Sequence, residues 1–391
     1  MKAKKNTSSI HIIFLFTILL LSITTNLYAQ QSVELKQSGD VTIKSKILNE
    51  ERTISIDLPG NYNFTDQKFP ILYLLDGKGN FEHTLGAVNY LASRDYIPQT
   101  IVIAIHNIDR TRDFSPVHVE RFPASGKGEQ FLDFISQELI PYMKKNYRIS
   151  DFSVIMGHSL GGTFITYSLL KKPDLFDGYI AISPYLQYGD KYVIEKAKTE
   201  LRSNYKSQKY YYMTVGDEDS YFSPLAEFSS LIKEKSGNTI SFKYEKLENE
   251  NHFTTPYLGM FKGLRFIFSD WQMPRETYNK GLVAIDKHFK NLSHKYGYNV
   301  SAPENIINML GYNYMQNEEW DKAIEVFKEN TRRYAYSANV YDSLGEAYES
   351  NHQLKEAQKN YQKAYDLGKE QNHANTPVYH KNLERVKKKI K

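Results

Sequence analysis

Five short, nearly uninterrupted apolar runs follow one another between residues 70 and 215: Pro70 to Leu75, Ile101 to Ile105, Phe152 to Met156, Gly178 to Ile182 and Tyr210 to Val215. A strand that reads this way is buried on both faces, and such strands occur in mostly parallel sheets covered by helices above and below. The segments between the runs include helical stretches such as Glu129 to Lys145. A further strand, Thr239 to Glu245, follows the amphipathic stretch Pro224 to Lys235. Ahead of the series, Val41 to Ile47 and Arg52 to Leu58 alternate with a two-residue period, which predicts an antiparallel pair joined by Leu48 to Glu51. The expected fold class is α/β, with one mostly parallel domain over residues 30–275.

Beyond Trp271 the strand signal stops. A repeat of period 34 takes over, in which Gly311 is matched by Gly345, Tyr314 by Tyr348, Ala323 by Ala357 and Phe327 by Tyr361. The small residues let two helices approach closely, and the aromatic fills the groove between them. The pattern resembles two tetratricopeptide repeats, at 304–337 and 338–371, inside an all-α domain of residues 276–391. Helical segments Glu276 to Tyr296 and His380 to Ile390 flank them. Two repeats are fewer than the three or so that stand alone, so they are expected to dock on these neighbours.

The first residues have another character. Lys2, Lys4 and Lys5 precede an apolar run of 12 residues, Ile12 to Ile23, and a small residue, Ala29, closes the segment. This predicts a signal peptide over residues 1–29. The run is short of the roughly 20 residues that span a bilayer, so no stable membrane span is expected after cleavage. Loss of three lysines lowers the formal charge from +5 to +2, a balance that argues against nucleic acid as a partner. The absence of cysteine excludes disulfides, a thiol nucleophile and a cysteine-linked lipid. A periplasmic or secreted location is expected.

Chemistry concentrates in Gly157-His158-Ser159-Leu160-Gly161, between the strand ending at Met156 and a helical segment, Thr163 to Lys171. Strand, Gly-x-Ser-x-Gly and helix in that order form a nucleophile elbow, which lifts the serine out on a tight turn. A serine hydroxyl needs a base, and His252 follows the last strand, whereas His83, His106 and His118 precede the serine and His158 is expected to point away from it. The acid belongs after Tyr210 to Val215, where Asp217, Glu218 and Asp219 stand in a row. Asp219 is the favoured member, with Glu218 and Asp217 as alternatives. The oxyanion donors are expected from the N–H of Leu160 and from the Asp76-Gly77-Lys78 turn, with Lys78 preferred. Nothing has metal-ligand spacing and no Gly-rich phosphate loop occurs, so no metal or cofactor is expected.

The runs ILYLLDG (71–77), IVIAIHNIDRTRDFSP (101–116) and MGHSLGG (156–162) resemble the putative-esterase family of α/β-hydrolases, which includes siderophore (enterochelin-type) esterases, feruloyl esterases, S-formylglutathione hydrolase and mycolyltransferases. The resemblance covers residues 31 to 270. It implies a serine esterase, an acid three residues past the strand-ending glycine (Asp219 counted from Gly216), and an oxyanion donor at Gly77-Lys78. It also implies that some siderophore esterases work as a Ser-His dyad, and that arginines on the loop after the second run meet an anionic substrate. Here those are Arg110 and Arg112, with pairing of Arg112 to Asp113 as the alternative. Siderophore-type or small acyl esters are the expected substrates. A feruloyl or acetyl esterase acting on plant polysaccharide is the second reading, and a scaffold that recruits a protein partner or self-associates through the repeats is the third.

Overall fold

The apolar runs become neighbouring strands because each buries both of its faces. A computed structural model describes residues 37–391; the signal-peptide reading, residues 1–29, lies outside them. The strands are β1 (Gly39–Ser45), β2 (Glu50–Asp57), β3 (Phe69–Leu74), β4 (Ile101–Ile105), β5 (Ile149–His158), β6 (Gly178–Ile182), β7 (Lys209–Val215) and β8 (Ile240–Lys246). They form one sheet in the order β1-β2-β4-β3-β5-β6-β7-β8. β1 pairs antiparallel with β2, and β2 with β4, while every pairing from β4 to β8 is parallel. This is the mostly parallel sheet that the sequence predicts.

The pairing of β3 with β5 illustrates how the faces are set. Leu72 faces Val154 across the ladder and Leu74 faces Met156, and these four join one apolar cluster. Ile71, Tyr73 and Ile155 point the other way into a second cluster, as the two-residue period of a strand requires.

Helices cover both faces. They are α1 (Gly77–Ser93), α2 (Arg110–Phe114), α3 (Gly128–Phe134), α4 (Ile140–Asn146), α5 (Leu160–Lys171), α6 (Tyr188–Glu200), α7 (Asp219–Lys235) and α8 (Thr255–Ile267), with a π turn, Ile135–Leu139, joining α3 to α4. Phe131, Phe164, Val193 and Phe228 from α3, α5, α6 and α7 fill one side; Leu91 of α1 and Leu264 of α8 fill the other. The sequence reading missed α1, because Gly77-Lys78-Gly79-Asn80 reads as a loop, and began α7 at Pro224, five residues late. Pro224 lies inside that helix.

The remaining chain is helical: α9 (Arg275–Tyr278), α10 (Leu282–Tyr296), α11 (Glu304–Gln316), α12 (Trp320–Arg333), α13 (Ala338–Ser350), α14 (Leu354–Glu370) and α15 (Thr376–Ile390). The expected helix Glu276 to Tyr296 is therefore broken, at Gly281, whose φ of 85° no helix accommodates. α11 begins at Glu304 and α13 at Ala338, which reproduces the 34-residue spacing. A side chain on Gly311 would collide with the Phe327 ring, and one on Gly345 with the Tyr361 ring, so each aromatic fills the groove its paired glycine leaves. Residues 38–391 form one compact unit. Ile285, Phe289, Leu292, Tyr296, Ile307 and Leu310 belong to the same apolar cluster as Leu72 and Val154 of the sheet.

The helical pairs meet the sheet at the N-terminal ends of its strands. Phe64, shortly before β3, stacks on Tyr336 with ring centroids 6.2 Å apart. Asn305 Nδ2 donates to Asp95 Oδ2 at 2.7 Å, just past the end of α1.

Candidate active site

Consecutive parallel strands β3, β5, β6, β7 and β8 release their chain at one edge, and the C-terminal ends of such strands are where α/β sheets gather ligand-binding groups. Asp76, Ser159, Ser183, Glu218 and His252 all follow these ends.

Ser159 sits between β5 and α5 at φ 57°, ψ −120°, a conformation that costs a non-glycine residue on the order of 1–3 kcal/mol. The surroundings hold it there. Its N–H donates to the Ile182 carbonyl at 2.9 Å, and its carbonyl accepts from Thr163 N at 3.0 Å and Tyr185 N at 3.2 Å. The turn is so tight that a Cβ on Gly157 would stand 2.5 Å from the Gly161 carbonyl oxygen.

The carboxylate that faces His252 is Glu218. His252 Nδ1 donates to Glu218 Oε2 at 2.5 Å, and the Glu218 side chain is only 7% exposed against 26% for His252. Glu218 Oε1 accepts from the Ser183 hydroxyl at 2.5 Å and from the Gly216 N–H at 3.1 Å. This corrects the expectation for Asp219, which is the first residue of α7 and exposed. Asp217 is also turned outward. Its ion pair with Lys246, at 2.8 Å, holds its carboxyl below the usual range. A carboxylate fixed on one imidazole nitrogen sets the tautomer and leaves the other nitrogen free to take a proton.

Aromatic rings pack against the histidine, among them Phe253 with its centroid 5.7 Å away. The His158 ring lies with its centroid 4.4 Å from that of His252, so the elbow histidine packs on the candidate base. Burial, and then the neighbouring His252, pushes His158 down to about 4, which keeps it uncharged at neutral pH. The Tyr221 ring also packs on the candidate base, with its centroid 5.5 Å from that of His252. Neither Tyr221 nor Ser183 carries a sequence signal; the position of Glu218, two residues after a strand-ending glycine, is a signal shared with its neighbours.

On the β3 side, Asp76 takes left-handed backbone angles (φ 53°, ψ 40°) and α1 begins at Gly77. Gly77 and Lys78 therefore stand in the first turn of a helix, where N–H groups lack intrahelical acceptors and the dipole favours negative charge. Leu160 holds the same position in α5. The two helix starts adjoin, since Asp76 Oδ2 lies 3.5 Å from where a Cβ on Gly161 would be. A pocket of about 500 Å³ opens beside this turn, lined among others by Glu51, Lys78, His106 and Asn107.

The two arginines are engaged within the protein. Arg110 donates from Nε to Asp76 Oδ1 at 2.7 Å, from Nη2 to Asp76 Oδ2 at 3.0 Å, and from Nη2 to the His158 carbonyl at 3.0 Å. It ties the Asp76 turn to the elbow, with 35% of its side chain exposed. Arg112 donates to both Glu50 carboxylate oxygens, at 3.0 and 2.7 Å, and to Asp113 Oδ1 at 2.8 Å. Its alternative reading, a partner that holds the loop, is the one this geometry describes. Among the described residues, no group of three or more metal-ligating side chains converges.

Residues 45–257 match the family model described as putative esterase. The ferri-bacillibactin esterase BesA of Bacillus subtilis (strain 168) is 32% identical over 149 residues, which cover 33% of this chain and 52% of the relative. The chain thus spans about half the length of that curated relative. An IroE-like serine hydrolase from Shewanella oneidensis superposes with a TM-score of 0.64 at 22% identity, covering 72% of this chain and 95% of the other. A protein from Capnocytophaga ochracea DSM 7271 superposes with a TM-score of 0.60 at 18% identity, covering 90% and 99%. At these identities the two structures are likenesses of fold, and the second takes in the helical part as well.

Proposed function

The chain belongs to the putative-esterase family of α/β-hydrolases, and from that premise we propose that it is an exported serine hydrolase that cleaves carboxylic esters of the siderophore type. The observation that carries the reading is the 2.5 Å Glu218–His252 bond beside a serine held at positive φ between a strand and a helix start. The similarity to a ferri-bacillibactin esterase supports the substrate class. The lysines and apolar run ahead of Ala29 support export.

In the proposed reaction His252 takes the Ser159 proton as Oγ bonds to the ester carbonyl carbon. The N–H groups of Leu160 and of Gly77 or Lys78 hold the oxygen that becomes negative. Collapse breaks the bond to the leaving alcohol, which receives the proton from His252, and leaves an acyl group on Ser159. Water then repeats the sequence and frees the acid. Glu218 stays ionised and stabilises the imidazolium that forms in each half.

Ser159→Ala is expected to abolish turnover of p-nitrophenyl butyrate; undiminished turnover would refute the mechanism. Incubation with a tri-catecholate trilactone siderophore beside a ferulate ester, followed by mass spectrometry of the products, tests the substrate class. Cleavage of the ferulate alone would overturn it.

A further inference from the structure

The backbone ladder between β3 and β5 runs as far as Leu75, whose N–H donates to the Met156 carbonyl at 3.0 Å. Past that point the two segments part. One turns through Asp76 into α1, and the other runs on through His158 to Ser159 and α5. The Arg110 guanidinium joins them again. Its Nε and Nη2 donate to the two Asp76 carboxylate oxygens at 2.7 and 3.0 Å, and Nη2 also donates to the His158 carbonyl at 3.0 Å. Arg110 is itself fixed from two sides. It is the first residue of α2, which is capped by the Asp109 side chain accepting from the Arg112 N–H at 2.9 Å. Its guanidinium carbon lies 5.3 Å from the ring centroid of Phe114, a buried side chain that packs on Phe131 and Phe164 with centroids 5.7 Å away. Asn107 Nδ2 adds a second donor to Asp76 Oδ1, at 2.5 Å.

We infer that Arg110 is a positioning residue for the proposed oxyanion site: it sets the separation of the two helix starts whose N–H groups hold the negative oxygen. This role rests on the nucleophile and donors proposed above. The donors belong to different elements, Gly77 and Lys78 to α1 and Leu160 to α5, so their spacing is a tertiary distance that neither helix fixes alone. An oxyanion site works when its donors stand about 2.7–3.1 Å from the oxygen as it becomes charged, and a misplacement of about 1 Å can cost 100-fold. Asp76 directly precedes the α1 donors and His158 directly precedes the nucleophile. One planar guanidinium therefore grips both segments at their roots. Its fork holds an angle as well as a distance, which a lysine ammonium does not. With Nε and Nη2 engaged inside the protein and Asp76 as counter-ion, Arg110 acts on the reaction through the backbone and not as a receptor for charge on the substrate.

Kinetics of the full chain on two esters test this: neutral p-nitrophenyl butyrate and its anionic counterpart, mono-p-nitrophenyl succinate. Arg110→Lys keeps the charge and loses the fork. Its kcat is expected to fall roughly 10- to 100-fold, by the same factor on both esters, with KM for the butyrate within about threefold of the unaltered chain. An alkyl trifluoromethyl ketone, whose adduct on Ser159 carries a tetrahedral oxyanion, should bind more weakly by the same factor as the loss in kcat/KM. A smaller folded fraction would lower kcat and leave that inhibition constant unchanged. Asp76→Asn cuts the same clamp from the other side and is expected to show the same pattern, which keeps the test open where Arg110→Lys does not fold. An unchanged kcat, a larger loss on the succinate than on the butyrate, or an unchanged inhibition constant overturns the role of Arg110 while Ser159 still reacts with a fluorophosphonate. Failure of the unaltered chain to react at Ser159 would overturn the reading of the site itself.

Discussion

With Oε1 of Glu218 held by the Ser183 hydroxyl and the Gly216 N–H, its Oε2 is left to accept from His252. Replacing that carboxylate by an amide of the same shape removes the charge that fixes the tautomer. Glu218→Gln is therefore expected to lower kcat by roughly 100- to 10,000-fold, and Asp219→Asn to leave it within about twofold, both measured on p-nitrophenyl butyrate. Equal effects would mean that the wrong neighbour has been assigned. Ser159 and His252 could be nominated from the sequence because motif and chain order single them out. Choosing among three consecutive carboxylates could not be done that way. The choice depends on where α7 starts: Asp219 opens the helix and is exposed, while Glu218, one residue earlier, turns inward. Tyr221 was illegible for a different reason, since one tyrosine among 31 carries no mark of the surface it will touch.

Among the elements, the strands were legible because continuous apolar runs have few other uses, and their ends could be placed to within a few residues. α1 was not, because two glycines in its first turn mask a helix whose buried face, Thr84, Ala87, Val88 and Leu91, only emerges later. The two glycines have unlike surroundings. A Cβ on Gly77 would stand 2.8 Å from the backbone and side chain of Ala104 in β4, whereas Gly79 has open space. Gly77→Ala is expected to push the start of α1 off β4, with about 1–3 kcal/mol lost to overpacking. Because misplacement of about 1 Å can cost 100-fold, kcat should drop at least tenfold. Gly79→Ala should be neutral in kcat and raise stability by up to about 1 kcal/mol, as alanine replaces glycine in a helix. Thermal melts and kcat for the two variants would check the contrast; a Gly77→Ala enzyme of normal rate would remove the α1 start from the proposed oxyanion site.

For the molecule as a whole, the change from strand to helix signals near residue 275 suggests a place to cut, but one apolar cluster runs across it. Ending the chain at 275 would strip Ile285, Phe289, Leu292, Tyr296, Ile307 and Leu310 from the apolar cluster they share with the sheet, and would bare the Phe152 and Tyr210 rings that Tyr296 packs on. At about 1.5–3 kcal/mol for each buried side chain, that loss is comparable to the 5–15 kcal/mol stability of a typical domain. A chain of residues 30–275 is expected to aggregate or to lack a cooperative melting transition, measured by near-UV circular dichroism and calorimetry. A sharp melt near that of the full chain would show that the sheet stands alone. The period-34 pattern disclosed how the helices pair with one another, yet no periodicity records which face of a distant sheet they cover. Because the repeats join the sheet where its strands begin and the candidate site opens where they end, the two ends of the molecule face different neighbours. An esterase held by its repeats, on a surface or in a larger assembly, would keep its mouth turned outward, and diffusing ester could enter and leave without displacing the anchor.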